Sequence, residues 1–285
     1  MMLPPAPPEL LDANGVPCFG RYTGQLNAFD WAALAPPYAR GALWRLFHHK
    51  RWHYVALATP TLFCGVAIVD LGWTSTAFAY AFDRHKGKIV ASFSQDGIPG
   101  LCASVAPHAA ACSRFRFLSQ VISIEAQPQQ RYRLQLDCGL FGIDAEFGPP
   151  VAPTLLAIGP VAEGGSVHAT QKSGGLPLWG SVRCGAIGYS LDDGVASFDY
   201  SNGLLARETE WRWASIVMLC ERKRKRLLAP ACGATEAHRP GTPSCEKLAT
   251  ILPLWRSKAY AKAVLVQPRS TMATPQNTAG VDRAT

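Results

Sequence analysis

Residues 131–147, RYRLQLDCGLFGIDAEF, carry the pattern from which the rest of the chain can be read. From Arg131 to Cys138 the apolar set Tyr132, Leu134, Leu136 and Cys138 interleaves with Arg131, Arg133, Gln135 and Asp137. Beyond Gly139, the residues Ile143, Ala145 and Phe147 alternate with Asp144 and Glu146. Successive side chains of a strand point to opposite faces, so a period of two gives each arm one core face and one wet face. Gly139 and Gly142 bracket the turn between them, and the unit is an antiparallel hairpin.

Working upstream, Arg114 to Glu125 reads as a longer strand whose phase shifts between Phe117 and Val121, which predicts a bulge there. Between Trp52 and Arg84 the apolar runs are nearly continuous: His53 to Thr59, Leu62 to Leu71 (LFCGVAIVDL), then Thr74 to Phe82 (TSTAFAYAF). Continuous apolarity at strand length implies burial on both faces. Ala39 to His49 has Leu43, Leu46 and Phe47 at helical spacing and predicts a short helix. Residues 1–40, rich in Pro and Gly, read as an irregular arm wrapped on the core.

Downstream of the hairpin, prolines and glycines break the chain about every ten residues. The candidate strands between them are Thr154 to Ile158, Ser166 to Lys172, Leu178 to Cys184, Gly185 to Leu191, Val195 to Tyr200 and Glu208 to Leu219. Short strands without helical periods between them define an antiparallel all-β protein, a barrel or a sandwich, occupying residues 41–219, with room for two sub-barrels.

The bulk numbers narrow the partners. The net charge of +8 would suggest a polyanion as partner, but residues 1–220 hold 16 basic and 16 acidic side chains, and residues 221–285 hold the other 12 basic and 4 acidic. The excess therefore lies in the last segment, which opens on the basic run Arg222 to Arg226. Residues 220–285 read as a basic, low-order tail, because their composition cannot bury enough apolar surface to offset chain entropy. The abrupt change near Ile216 suggests a lost reading frame; a genuine tail would instead bind nucleic acid, and deleting residues 221–285 would then abolish that binding. Nine cysteines with no C-x-x-C pair argue for reduced thiols in a cytoplasmic protein rather than a disulfide framework or a zinc site. MMLPPAPPELLD lacks the basic start of a secretory signal, and the uncharged apolar run Val55 to Val69 is shorter than the ~20 residues of a membrane helix.

Three segments, residues 50–84 (KRWHYVALATPTLFCGVAIVDLGWTSTAFAYAFDR), 168–180 (HATQKSGGLPLWG) and 199–215 (DYSNGLLARETEWRWAS), resemble in the same order the bacterial and fungal family known as domain of unknown function 2804. The resemblance covers about residues 10–215. Members of that family usually continue past the W-R-W-A-S motif into further strands, whereas this chain departs from the pattern at that point. The resemblance implies a fold akin to the double lipocalin-like proteins related to carotenoid hydratases, which hold apolar ligands in or between β-barrels.

Candidate site residues follow from strand faces. His168, Thr170 and Lys172 share a face and offer an acid, a base or an anion contact, or simply a polar strand face. Asp70 and Asp83 each end an apolar strand; a carboxyl there with a raised pKa would serve as the general acid of an alkene hydratase or isomerase, while pairing with Arg51 or Arg84 is the plainer role. Asp199 joins His168, Asp70 and Asp83 as a candidate acid or base. Trp211 and Trp213 on one side of a strand and Arg212 on the other, with Arg207, Trp52, Tyr54, Lys172 and Tyr200, are the candidate ligand-binding residues. His48, His49 and His53 diverge on an extended chain, so no metal site is expected, and no motif calls for a cofactor. The reading is a protein that binds a hydrophobic small molecule in a barrel cavity, either as a binder alone or with a cofactor-free hydratase or isomerase step as its chemistry. A carbohydrate-binding or glycan-processing β-sandwich is the alternative, and it requires exposed coplanar aromatics beside paired carboxylates.

Overall fold

The computed structural model describes residues 3–108, 111–161 and 167–206, and the backbone of four short strands between 211 and 237. The chain lays down β1 (Gly20–Thr23), α1 (Ala42–His48), β2 (His49–Ala58), β3 (Leu62–Asp70), β4 (Ser75–Asp83), β5 (Lys88–Gly97), β6 (Ala103–Ser104) and β7 (Ser113–Phe117). There follow β8 (Gln120–Gln127), β9 (Arg131–Cys138), β10 (Phe141–Phe147), β11 (Leu155–Pro160), β12 (Val167–Cys184), β13 (Ile187–Ser190) and β14 (Gly194–Leu204). All fourteen strands join one antiparallel sheet in the order β5-β4-β3-β2-β14-β12-β10-β9-β8-β7-β6, with β11 and β13 flanking β12 and β1 pairing β11. The sheet curls until β6 and β7 at one edge meet β3 and β4 near the other, giving a nearly closed barrel.

The quoted hairpin forms as its alternation predicts: Phe141 stands opposite Cys138 and Phe147 opposite Tyr132, and Leu134, Leu136, Ile143 and Ala145 point into the barrel. The same interior receives Val55 and Leu57 from β2, Leu62 to Ile68 at every second position from β3, and Phe198 and Tyr200 from β14. These side chains form one buried cluster, and residues of the arm join it: Leu26, Phe29, Trp31 and Leu34 are all buried in it. Asn202 ties them in. Its Oδ1 accepts from Trp31 Nε1 at 3.0 Å and from the His49 ring at 2.8 Å, and its Nδ2 donates to the Phe29 carbonyl. The arm is thus held as firmly as a strand, although almost none of it pairs as one.

Two expectations of strand layout are corrected. The supposed bulge inside residues 114–125 is a tight hairpin, β7–β8, turning at Leu118 and Ser119, with Leu118 at φ 53°. A leucine in the left-handed region carries no turn signature, so the sequence hides this turn. Conversely, the strands expected from Ser166 to Lys172 and from Leu178 to Cys184 are, from Val167 on, one strand of 18 residues, β12, whose Gly174–Gly175 step is absorbed as a register shift between Ser173 and Leu176; Ser166 itself lies outside the described residues. Helix α1 forms where expected, but buries no side chain.

Past the barrel, β15 (Trp211–Ala214) pairs with β18 (Ala234–Ala237), and β16 (Met218–Arg222) with β17 (Lys225–Ala229). The remainder of the expected low-order tail lies outside the described residues.

Candidate site on the outer wall of the barrel

A barrel strand with one face in the core normally leaves the other to water, and β9 does so with Arg131, Gln135 and Asp137 exposed. The stretch β3–β2–β14–β12 differs. Its outer positions are Phe63, Gly65, Ala67 and Val69 on β3, Trp52, Tyr54 and Ala56 on β2, Asp199 and Ser201 on β14, and His168, Thr170 and Lys172 on β12. Most of them are buried; Asp199 is only 5% and His168 only 8% exposed.

Register brings the polar members together. Lys172 stands directly opposite Asp199, Thr170 opposite Ser201, and across the next pair Tyr54 stands opposite Asp199 and Trp52 opposite Ser201. The Lys172 ammonium pairs with Asp199 Oδ2, and Thr170 Oγ1 donates to Asp199 Oδ1 at 2.9 Å. Ser201 Oγ completes the ladder, 2.8 Å from Thr170 Oγ1 and 3.1 Å from Asp199 Oδ1. The His168 ring stacks on Trp52, with centroids 5.6 Å apart.

Protonation follows from these contacts. Burial pushes the Asp199 carboxyl up, but the Lys172 charge and hydrogen bond, with that of Thr170, outweigh it and hold the group below the usual carboxylate range. Burial drives His168 down to about 4, with Asp199 pulling it up and Lys172 pushing it further down, so the imidazole is neutral at pH 7. Burial, reinforced by the neighbouring Tyr80 phenol, raises Tyr54 well above its ordinary value, and burial takes Tyr80 up to about 12. The face therefore presents a carboxylate paired with an ammonium, a neutral imidazole and two protonated phenols beside the partly buried rings of Trp52, Phe63 and Phe78. Gly65 makes room for this wall: a Cβ there would stand 2.7 Å from the Tyr80 ring.

Of the candidates named from the sequence, His168, Lys172, Asp199, Trp52 and Tyr54 meet here. Tyr200 does not. It points into the barrel, where its hydroxyl donates to the Ala106 carbonyl at 2.5 Å. Asp70, at the rim, pairs with Arg51 at 2.5 Å and accepts from the Gly72 amide. Asp83 accepts from the backbone amides of His85 and Lys86, from Lys86 Nζ and from Tyr189. The Lys86 amide above all, against the opposing effect of burial, draws its carboxyl down to about 2, the reverse of what a general acid needs. Arg207 lies outside the described residues, and so do the side chains of Trp211, Arg212 and Trp213 on β15. His48, His49 and His53 reach the Leu205 carbonyl, Asn202 and Ser113 respectively, and no group of three potential metal ligands forms among the described residues.

Three members of the site were not singled out from the sequence. Ser201 was legible in the alternation of DYSNG, while Tyr80 needed the β3–β4 register and Lys50, whose Nζ donates to the Ala206 carbonyl at 2.6 Å, needed the fold.

These features define a nearly closed antiparallel β-barrel protein with a buried apolar core and a second, buried polar and aromatic cluster on its outer wall. The chain belongs to the family described as Domain of unknown function (DUF2804), whose model it matches over residues 5–227. No curated protein matches it. Solved structures similar to it include a putative AttH from Nitrosomonas europaea, at 15% identity and TM-score 0.45, over 65% of this chain and 63% of that one. Kievitone hydratase from Nectria haematococca is similar at 10% identity and TM-score 0.46, covering 70% and 61%. CghA with Sch210972 follows at 12% and 0.43, covering 75% and 58%. The chain thus spans about three fifths of the length of these structures.

Proposed function

We propose that the outer wall of β2, β3, β4, β12 and β14 binds an apolar small molecule bearing a carbonyl or hydroxyl oxygen. The observation that carries this reading is the Lys172–Asp199 pair, both partners largely buried and both on the same face as Trp52, Tyr54 and His168. Withdrawing two charges from water costs several kcal/mol per ion before their attraction is counted, so an apolar pair of similar volume would serve stability as well or better. Retention of charge there suits recognition of a polar atom on an otherwise apolar ligand.

The chemistry the site supports is cofactor-free isomerisation, with hydration as the related case. Both Asp199 and Asp83 are held ionised, so the proton donors at neutral pH are the Lys172 ammonium and the Tyr54 phenol, and the available base is the neutral His168. His168 would take a proton from the carbon next to a carbonyl while Tyr54 and Lys172 hydrogen-bond the developing oxyanion; returning that proton at another carbon completes the double-bond shift without a redox partner. Thermal-shift and tryptophan-quenching titrations with a panel of apolar ketones, phenols and hydrocarbons test the reading. Binding of the oxygenated members, lost in Trp52→Leu, supports it; no response to any member, or a response to hydrocarbons alone that survives Lys172→Met, refutes it.

A further inference from the structure

One row of positions across the outer wall carries almost no side chain. Between Ser173, opposite Phe198, and Leu176, opposite Ala196, the glycines Gly174 and Gly175 of β12 share the single place facing Ser197 of β14. Ser197 stands opposite Ala56 of β2, and Ala56 opposite Gly65 of β3. Four adjacent strands thus contribute nothing larger than a serine. Glycine inside a strand weakens it, and bulges and strand glycines recur where a ligand or another segment comes close.

The rows on either side differ in chemistry. On one side run Lys172, Asp199 and Tyr54; on the other run Pro177, Val195, Ala58 and Phe63. Tyr80 closes one end, its ring filling the space above Gly65, where a Cβ would stand 2.7 Å from it. Strands lie about 4.8 Å apart and residues advance about 3.3 Å, so the floor runs roughly 10 Å from the β12 glycines to Ala56, between flanking rows roughly 13 Å apart at the backbone. Ser197, at its centre, is half-buried.

From this geometry we infer that the row is the seat of the ligand, and that it selects a flat system of two or three rings lying across the strands with its oxygen toward Lys172, Asp199 and Tyr54. The inference rests on the outer-wall reading above and adds a shape to it. A floor of nearly bare backbone lets a flat ring system make contact over its whole face, whereas a cage meets it at a few atoms and a flexible chain must first be ordered. The polar row then reaches an oxygen on one long edge of the rings, and the apolar row meets the other edge. Ser197 and Ala56 are accordingly the specificity-determining positions.

The test compares, on the full chain, oxygenated apolar compounds of similar size and different shape: fluorenone and naphthol, which are flat, against adamantanone, a cage, and undecanone, a chain. Dissociation constants from equilibrium dialysis should be at least about tenfold lower for the flat pair. Ser197→Leu raises the floor, and should weaken the flat pair about tenfold or more while leaving the melting temperature and the binding of undecanone unchanged. Equal binding of flat and cage-shaped members, or flat members bound equally by the parent and Ser197→Leu, overturns the inference; if Lys172→Met still abolishes that binding, the outer-wall reading survives without it. A Ser197→Leu chain that melts several degrees lower shows a floor already packed over by the chain's own residues, and overturns it as well. No binding of any member by the parent removes both readings together.

Discussion

The two faces of the β2–β14–β12 sheet make an instructive pair, because each buries a histidine and a polar cluster in the same few residues of backbone. On the inner face His53, fully buried, bonds Ser113, and Tyr200 and Asn202 bind the backbone and indole of segments laid across them. Those contacts stitch the arm and the 105–107 segment to the barrel, and their purpose is closure. On the outer face the Lys172–Asp199 pair bonds Thr170 and Ser201 of the same sheet, and His168 stacks on Trp52. Polar groups that join separate segments are explained by the fold; a buried ion pair that an apolar pair of similar volume could replace points to something the fold alone does not require.

The largest effect expected from breaking this contrast is at the ion pair. Lys172→Met leaves the Asp199 carboxylate buried without its cation and should cost about 3–5 kcal/mol in chemical denaturation. The double variant Lys172→Met with Asp199→Leu should recover most of that loss, because an apolar pair of similar volume needs no desolvation. An inner-face stitch has no such repair.

Next comes pH, which treats the faces alike. Burial holds both His53 and His168 at about 4, against an ordinary value of 6.5. Between those limits the unfolded chain takes up protons that the folded chain refuses. Stability is therefore full above about pH 6.5 and falls as pH drops toward 4, by about 3 kcal/mol per histidine. Asp199, held below its ordinary value, adds a loss in the same direction at still lower pH. Denaturation curves for His168→Asn should show a shallower slope than the parent between pH 6.5 and 4.5, the rest coming from His53 and from His49, which burial also lowers; an unchanged slope would mean that the outer face is wet.

Asn202→Ala should cost about 2–3 kcal/mol, since it strands the Trp31 indole and the His49 ring inside the molecule, and the tryptophan emission should shift to the red. The smallest effect is at Gly65. An alanine there presses on the Tyr80 ring and should cost about 1 kcal/mol through a shifted side chain, with a larger proportional loss of ligand response than of stability.

How far the sequence discloses these faces depends on the period of each element. The 131–147 hairpin was legible to the residue because its wet positions are charged, and the buried strands at 62–70 and 75–83 were legible from apolarity on both faces. Leu118 concealed a turn and Gly174–Gly175 suggested one that does not exist, since a bulge and a turn draw on the same residue types. Within the site, alternation alone groups His168, Thr170 and Lys172. That Lys172 meets Asp199 depends on a register between strands whose pairing no local signal sets, and Tyr200 was placed with its neighbour Asp199 although adjacent residues of a strand point apart.

The account rests on the claim that the outer-wall charges serve a ligand and not the fold. The direct measurement is ligand-induced thermal shift, against the oxygenated apolar panel, in the parent and in the Lys172→Met, Asp199→Leu double variant. The account predicts a double variant about as stable as the parent and without ligand response. A double variant as unstable as Lys172→Met alone, or one that still responds to the panel, would contradict it.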